Sequence, residues 1–154
     1  MKWICELISM EEQRIIQMMS GLSSELKTDA FVQDENGCFI VSFDDTRVLI
    51  YEKANCFVFE SAFDFDCAKG LSFQQEKNLI LILQAGLINM RTDHSVLSIN
   101  QHHQLVLCQK ITNQCNLQDF IEYLEKQVYF TEKYEQVFSR HTVSNSQQNT
   151  VWLP

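Results

Sequence analysis

Proline is almost missing from this chain of 154 residues: there is one, and it is the last residue. Glycine is scarce too, at four. With so little backbone punctuation, and with 45% hydrophobic and 21% charged residues, the composition is that of a globular chain rather than a disordered one. A chain of this length folds as one domain that buries roughly 70% of the surface its unfolded form exposes, so its core needs no covalent staples.

No cluster of Lys or Arg occurs, and basic residues are outnumbered 20 to 12, for a formal charge of -8. Nucleic acid is thereby a poor partner, because phosphate binding depends on cationic side chains that displace counterions. There is no long hydrophobic run. The strongest, LILIL at 79–83, falls far short of a membrane span, so no membrane insertion is expected. The opening MKWICELISMEEQ meets Glu6 before any apolar region develops, and no secretory leader is expected. Six cysteines are present (Cys5, Cys38, Cys56, Cys67, Cys108, Cys115), but none in a C-x-x-C pair. Structural zinc and thioredoxin-like chemistry both lose their usual signature, and free thiols in a reducing cytosol are the economical reading.

What is present falls into periodic segments. Ile4, Ile8, Ile15, Met18, Met19 and Leu22 recur at helical spacing with Glu11, Glu12 and Arg14 off the stripe, which predicts an amphipathic helix ending near Gly21. From 37 to 63 the period changes: GCFIVSF, RVLIYE and CFVFESAF are short, β-branched and aromatic, and are separated by DDT and KAN. Three sequential antiparallel strands follow, with room for a short extra strand near Ala30–Gln33. Ser72 and Gln75 make a capping box for a second helix, whose Leu79, Ile80, Leu81, Ile82, Leu83, Leu87 and Ile88 leave no polar side. One face can rest on the sheet; the other needs a further helix or a second subunit.

SVLSINQHHQLVLCQ, at 95–109, reads as a hairpin. A three-residue loop Gln101–His103 sets Ile99 against Leu105 and Leu97 against Leu107 and gathers the large apolar residues on one face. A four-residue loop spoils that face. Asn116 then caps a third helix with the stripe Leu117, Phe120, Ile121, Leu124 and Val128, continued by Phe130, Tyr134, Val137 and Phe138. The reading is an α+β domain over 1–138, a twisted antiparallel sheet flanked by helices in the order helix, three strands, helix, two strands, helix. Residues 139–154, polar and aperiodic, are expected to form a mobile tail.

Catalytic apparatus is hard to assemble from these parts. His102 and His103 are adjacent at a loop tip, and His94, at the far end of the strand, lies about 20 Å away at ~3.3 Å per residue. One metal ion cannot collect all three. Cys108 sits opposite Val96, several residues down the ladder from His103, beyond hydrogen-bond reach for a Cys–His pair, while nothing places His94 or His141 nearby. Asp44 with Asp45, and Asp64 with Asp66, lie at strand ends where Asp initiates turns. GLSFQQEK lacks the phosphate-loop pattern. No catalytic, metal or cofactor-binding residue is assigned, and the chain is not read as an enzyme. What remains is surplus apolar surface, including eleven phenylalanines and strands apolar on both faces. All of it packed into one core is the plain alternative to a share left for a partner.

The stretch from Leu79 to Phe138 resembles the C-terminal half of the type III secretion chaperones that serve single effectors. A leucine-rich helix (Leu79–Leu83), a strand (Val96–Ile99), a turn, a Leu-Val-Leu strand (Leu105–Leu107) and a helix with an aromatic-rich end (Phe120–Phe138) fall in the family's order. The N-terminal half agrees in element order more than in letters, and Gly86 stands where the family often has Asn, which would shift a helix end. The resemblance implies a cytosolic homodimer without ATPase activity. Its client is the non-globular N-terminal segment of a secreted effector, held by strand addition at a sheet edge and by apolar pockets. It also implies a self-contact through the middle helix and adjoining strands, assigned to Leu79, Ile80, Leu83, Leu87, Val96 and Leu97. Client contacts are assigned to Ile4, Ile8, Phe39, Val41, Phe43, Val48, Ile50 and Phe57. Two competing readings are an accessory protein of the same fold that binds a folded regulator or secretion component, and a thiol or metal enzyme using Cys108 and the histidines.

Overall fold

The computed structural model describes the backbone of residues 2–29, 31–66, 70–93 and 95–143, and the side chains of 14–29, 31–64, 70–87, 90 and 95–137. The elements are α1 (Lys2–Leu26), β1 (Phe39–Phe43), β2 (Thr46–Lys53), β3 (Cys56–Asp66), α2 (Phe73–Asp93), β4 (Val96–Ile99), β5 (Gln104–Thr112) and α3 (Leu117–Val143). The five strands form one antiparallel sheet in the order β1-β2-β3-β5-β4. β5 returns to pair with β3, and β4 becomes the outer edge.

Local chemistry accounts for most boundaries. The β1–β2 and β2–β3 turns are two-residue connections, the second with both Ala54 and Asn55 at positive φ, as a tight hairpin turn requires. The capping box forms as read: Gln75 N–H donates to Ser72 Oγ at 3.3 Å, and Ser72 N–H donates to Gln75 Oε1 at 2.9 Å. Asn116 Oδ1 accepts the Asp119 N–H at 2.9 Å and opens α3. The segment before β1 contributes a single bridge, Gln33 to Phe39, in place of a strand; Ala30 lies outside the described residues.

Two helix ends differ from the sequence reading. α1 runs past Gly21 to Leu26. Gly21 is there for close approach, since a Cβ at this position would fall 2.8 Å from Leu117 Cδ2 of α3. The stop is a Schellman cap: Lys27 takes φ +52°, Thr28 N–H donates to the Ser23 carbonyl at 3.1 Å, and Lys27 N–H to that of Ser24 at 3.4 Å. Gly86 likewise ends nothing and sits inside α2 against Leu97 of β4. α3 continues to Val143, five residues beyond Phe138; residues 144–154 lie outside the described set.

α1 and α3 cover one sheet face. Ile15, Met18, Met19 and Leu22 of α1 and Phe120 and Leu124 of α3 pack on Phe39, Val41, Val48, Ile50, Phe57 and Phe59. The ring of Phe120 meets Phe57 edge-on at 5.3 Å and Phe59 at 5.0 Å. A second apolar cluster joins Ile82 of α2 and Phe130 and Tyr134 of α3 to Phe63, Leu105 and Leu107. Between the two along α3 lies a buried polar seam. The Gln127 amide donates to Ser61 Oγ at 3.0 Å and to the Leu107 carbonyl at 2.9 Å, and Thr131 Oγ1 donates to the Gln127 carbonyl at 2.7 Å. Arg14 adds a clamp from α1, donating to the carbonyls of Asn113 and Cys115 in the loop before α3.

The seam predicts the cost of removing it. Gln127→Ala removes the buried amide's bonds to Ser61 Oγ and the Leu107 carbonyl, and it should lower the urea unfolding free energy by about 1–3 kcal/mol at an unchanged m-value.

Candidate binding surfaces

β-Strands alternate faces, so the residues between the core positions point the other way, onto a face where Val58 and Val106 are buried and Ile40 and Arg47 are exposed. That parity decides the fate of the residues assigned to client contact. Phe39, Val41, Val48, Ile50 and Phe57 are 0–3% exposed beneath α1 and α3, and Phe43 is partly buried against the same cluster. The five are structural, a correction to the sequence reading: the parity that α1 and α3 cover is the one that hides. Ile4 and Ile8 lie on α1, but their side chains are outside the described residues.

The other face presents the opposite parity, a set the sequence reading passed over. Ile40, Leu49 and Tyr51, with Arg47 and Glu60, line a groove of about 870 Å³. Its rims are the turn before β1 and the β4–β5 hairpin tip. Ile40 is 55% exposed. Tyr51 Oη donates to Glu60 Oε2 at 3.2 Å. Its pKa is pushed up to about 12, first by burial and then by the Glu60 carboxylate. Burial, followed by Glu60, also raises the Cys108 thiol; burial, Asp34 and Glu60 raise that of Cys38. Thiols shifted this way stay protonated at neutral pH and are poor nucleophiles. At the edge of this face, Gln33 bridges only the start of β1, and among the described residues no strand pairs with the rest of its outer side.

The second surface is α2 with β4. Ile82 points inward and is fully buried; Leu79 and Leu97 are partly buried on the same cluster. The remaining assigned positions stand in the open: Ile80 at 54%, Leu83 at 40%, Leu87 at 64% and Val96 at 39%. Leu83, Leu87, Met90, Val96 and Leu97 surround Gly86 in an apolar hollow of about 280 Å³. A Cβ on Gly86 would meet Leu97 Cδ1 at 2.9 Å, so the glycine is what brings the strand this close to the helix. The large apolar side chains of this helix face that do not reach the core are left exposed.

The histidine hairpin has the register read from its sequence, with Leu97 opposite Leu107, Ile99 opposite Leu105 and Val96 opposite Cys108. The sequence reading missed what holds the tip. Asn100 Oδ1 accepts the N–H groups of His102 at 2.9 Å and Gln104 at 3.0 Å, and His103 takes φ +59°, the left-handed position that closes a three-residue loop. His102 and His103 are exposed; His94 and the His141 side chain lie outside the described residues. Among the described residues, no group of three or more His, Cys, Asp or Glu converges. No described helix is long and apolar enough to cross a membrane.

No protein-family model matches the chain, and no curated protein does. Solved structures do. In the HopA1–SchA chaperone–effector complex, the matching chain superposes with a TM-score of 0.63 at 12% identity, over 82% of this chain and 97% of its own length. The heterodimeric ExoU–SpcU complex from the type III secretion system of Pseudomonas aeruginosa gives 0.58 at 8% identity, over 80% and 96%. The Yersinia pestis type III secretion chaperone SycH, in complex with a stable fragment of YscM2, gives 0.55 at 14% identity, over 79% and 98%. The structural neighbours are type III secretion effector chaperones, and this chain has their fold.

Proposed function

We propose that the protein is a homodimeric cytosolic chaperone of a type III secretion system. It holds the non-globular N-terminal segment of a cognate effector and keeps that effector competent for secretion. The observation that carries the reading is the apolar surface the chain does not use itself, on a fold shared with chaperones in complexes.

The self-contact is assigned to the α2–β4 face. A twofold pairing sets this patch on its own copy, with leucines of one helix entering the hollow around Gly86 of the other. Each such side chain taken fully from water contributes about 1.5–3 kcal/mol of apolar transfer free energy, less the cost of association. The client contact is assigned to the open sheet face and the outer edge of β1. An extended segment added to that edge satisfies its own backbone and β1's together, and its side chains can reach Ile40, Leu49 and Tyr51. Ordering such a segment costs conformational entropy, so the contact must be long; two copies of the surface in one dimer supply that length.

Two predictions follow from these assignments. Light scattering of the purified protein should give twice the 18.0 kDa chain mass. Leu83→Asp with Leu87→Asp should bring it to a folded species of one chain mass; a wild type that stays monomeric at high concentration would overturn the self-contact. Pull-down from the native cytosol with mass spectrometry should recover a secreted protein that is lost when its N-terminal segment is deleted. Ile40→Asp with Leu49→Asp should abolish that capture while the circular dichroism spectrum is unchanged, whereas Phe39→Asp should unfold the chain. Capture through a folded domain of the partner would instead establish the accessory reading.

A further inference from the structure

Past α3 the sequence changes character once more. Residues 144–150, SNSQQNT, are polar and uncharged, and the next four, VWLP, are apolar. Residues 144–154 contain no Asp, Glu, Lys or Arg, in a chain whose formal charge is -8. A polar spacer followed by a single cluster of large apolar residues has the composition of a tethered anchor, since the spacer is content in water and the cluster gains by leaving it.

The path of α3 decides which surface such an anchor can reach. α3 starts beside Gly21 of α1, where Leu117 lies, and its later turns enter the second apolar cluster with α2. Tyr134 Oη is 3.6 Å from where a Cβ on Gly86 would stand, and Val137 packs on the same cluster as Leu79 and Leu97. The hollow lined by Leu83, Gly86, Leu87, Met90, Val96 and Leu97 is therefore adjacent to the last described side chains of α3. From Val137 the helix climbs about 9 Å to Val143 at ~1.5 Å per residue. The stretch from there to Trp152 spans up to about 30 Å, enough to come back. The groove of Ile40, Leu49 and Tyr51 is on the opposite side of the sheet from α3.

Chemistry agrees with reach. The lining of the hollow carries no charge, so an uncharged segment buries no unpaired ion there. At about 280 Å³ the hollow has room for one indole, and the exposed Met90 brings a thioether that packs well on an aromatic ring.

We propose that the VWLP segment docks in the α2–β4 hollow of its own chain, with Trp152 beside Gly86 and the flanking Val151 and Leu153 against Leu83 and Leu87, and that it competes there with a second copy. The competition rests on the self-contact proposed above; the docking does not. A spacer of this length keeps its anchor at a local concentration on the order of millimolar, so even a weak site is occupied until a second copy displaces the anchor. The anchor fills the hollow and leaves Ile80, elsewhere on α2, uncovered.

Trp152 can report its own position. After Trp3→Phe it is the one tryptophan of the chain, and Ile80→Asp weakens the self-contact at a residue outside the lining of the hollow. In that double variant, at a concentration where light scattering gives one chain mass, Trp152 emission should be blue-shifted and shielded from acrylamide. Adding Leu87→Asp should move the emission to the red and restore the quenching seen for a free SNSQQNTVWLP peptide, with the circular dichroism spectrum unchanged. Deleting residues 144–154 from the otherwise unaltered chain should lower the dimer dissociation constant at least about tenfold, because each copy no longer has to release its own anchor first. Solvent-exposed Trp152 in the single chain, or shielding that survives Leu87→Asp, would overturn the docking. A dissociation constant unmoved by the deletion would overturn the competition. A chain that stays monomeric with and without the segment would remove the self-contact and the competition together, while the emission of Trp152 still decides the docking.

Discussion

The contact on which the rest of this molecule depends is Phe120 of α3 lodged between the rings of Phe57 and Phe59 on the central strand β3. Aromatic side chains at this density bring large buried area and a preferred geometry, so the pair fixes where α3 crosses the sheet. Gln127, two turns further on, fixes the register along that crossing, because its amide has to reach Ser61 and the Leu107 carbonyl at once. With α3 placed, α1 fills the space beside it, tied down by Arg14, and the face over β1, β2 and β3 is full.

The surplus apolar surface is a consequence of that filling. α2 reaches the core only through the second cluster at the β5–β4 end and the far half of α3, so one side of a helix that is apolar all round is covered. Covering the other side within one chain would need another helix. On the sheet, the two long helices lie on the same side, and of the opposite parity Ile40 stays exposed while Val58 and Val106 are buried. Neither exposure is a packing defect; both follow from three helices placed on one side of a single sheet.

Much of this was legible in the sequence because it is decided locally. The capping box, the Asn116 cap and the odd loop of the histidine hairpin each follow from a few neighbouring residues, and each forms as read. What was not legible depends on residues far away. Alternation in CFIVSF shows that Phe39 and Ile40 point opposite ways and leaves open which of them a helix will cover, so the client residues were assigned to the parity that turned out to be core. Gly21 and Gly86 carry the composition of helix ends, and only the presence of Leu117 and Leu97 across the interface makes them spacers. The end of α1 was hidden for a different reason: Lys27 holds a left-handed position that glycine usually marks.

The charges on the two surfaces separate a proposed contact between like chains from one with an unlike partner. Across a twofold axis each residue near the axis faces its own copy, so a charge there meets the same charge; an interface between copies is best built without any. The stretches 78–87 and 95–99 contain no Asp, Glu, Lys or Arg, which suits self-association of α2 and β4 in a chain whose formal charge is -8. The open sheet face mixes Arg47, Lys53 and Glu60 with its apolar residues. That pattern is costly against a second copy and favourable against a different molecule of complementary charge. A chain this acidic repels its own kind over most of its surface, and the proposed self-contact would escape that repulsion because it uses a patch where charge is absent among the described residues.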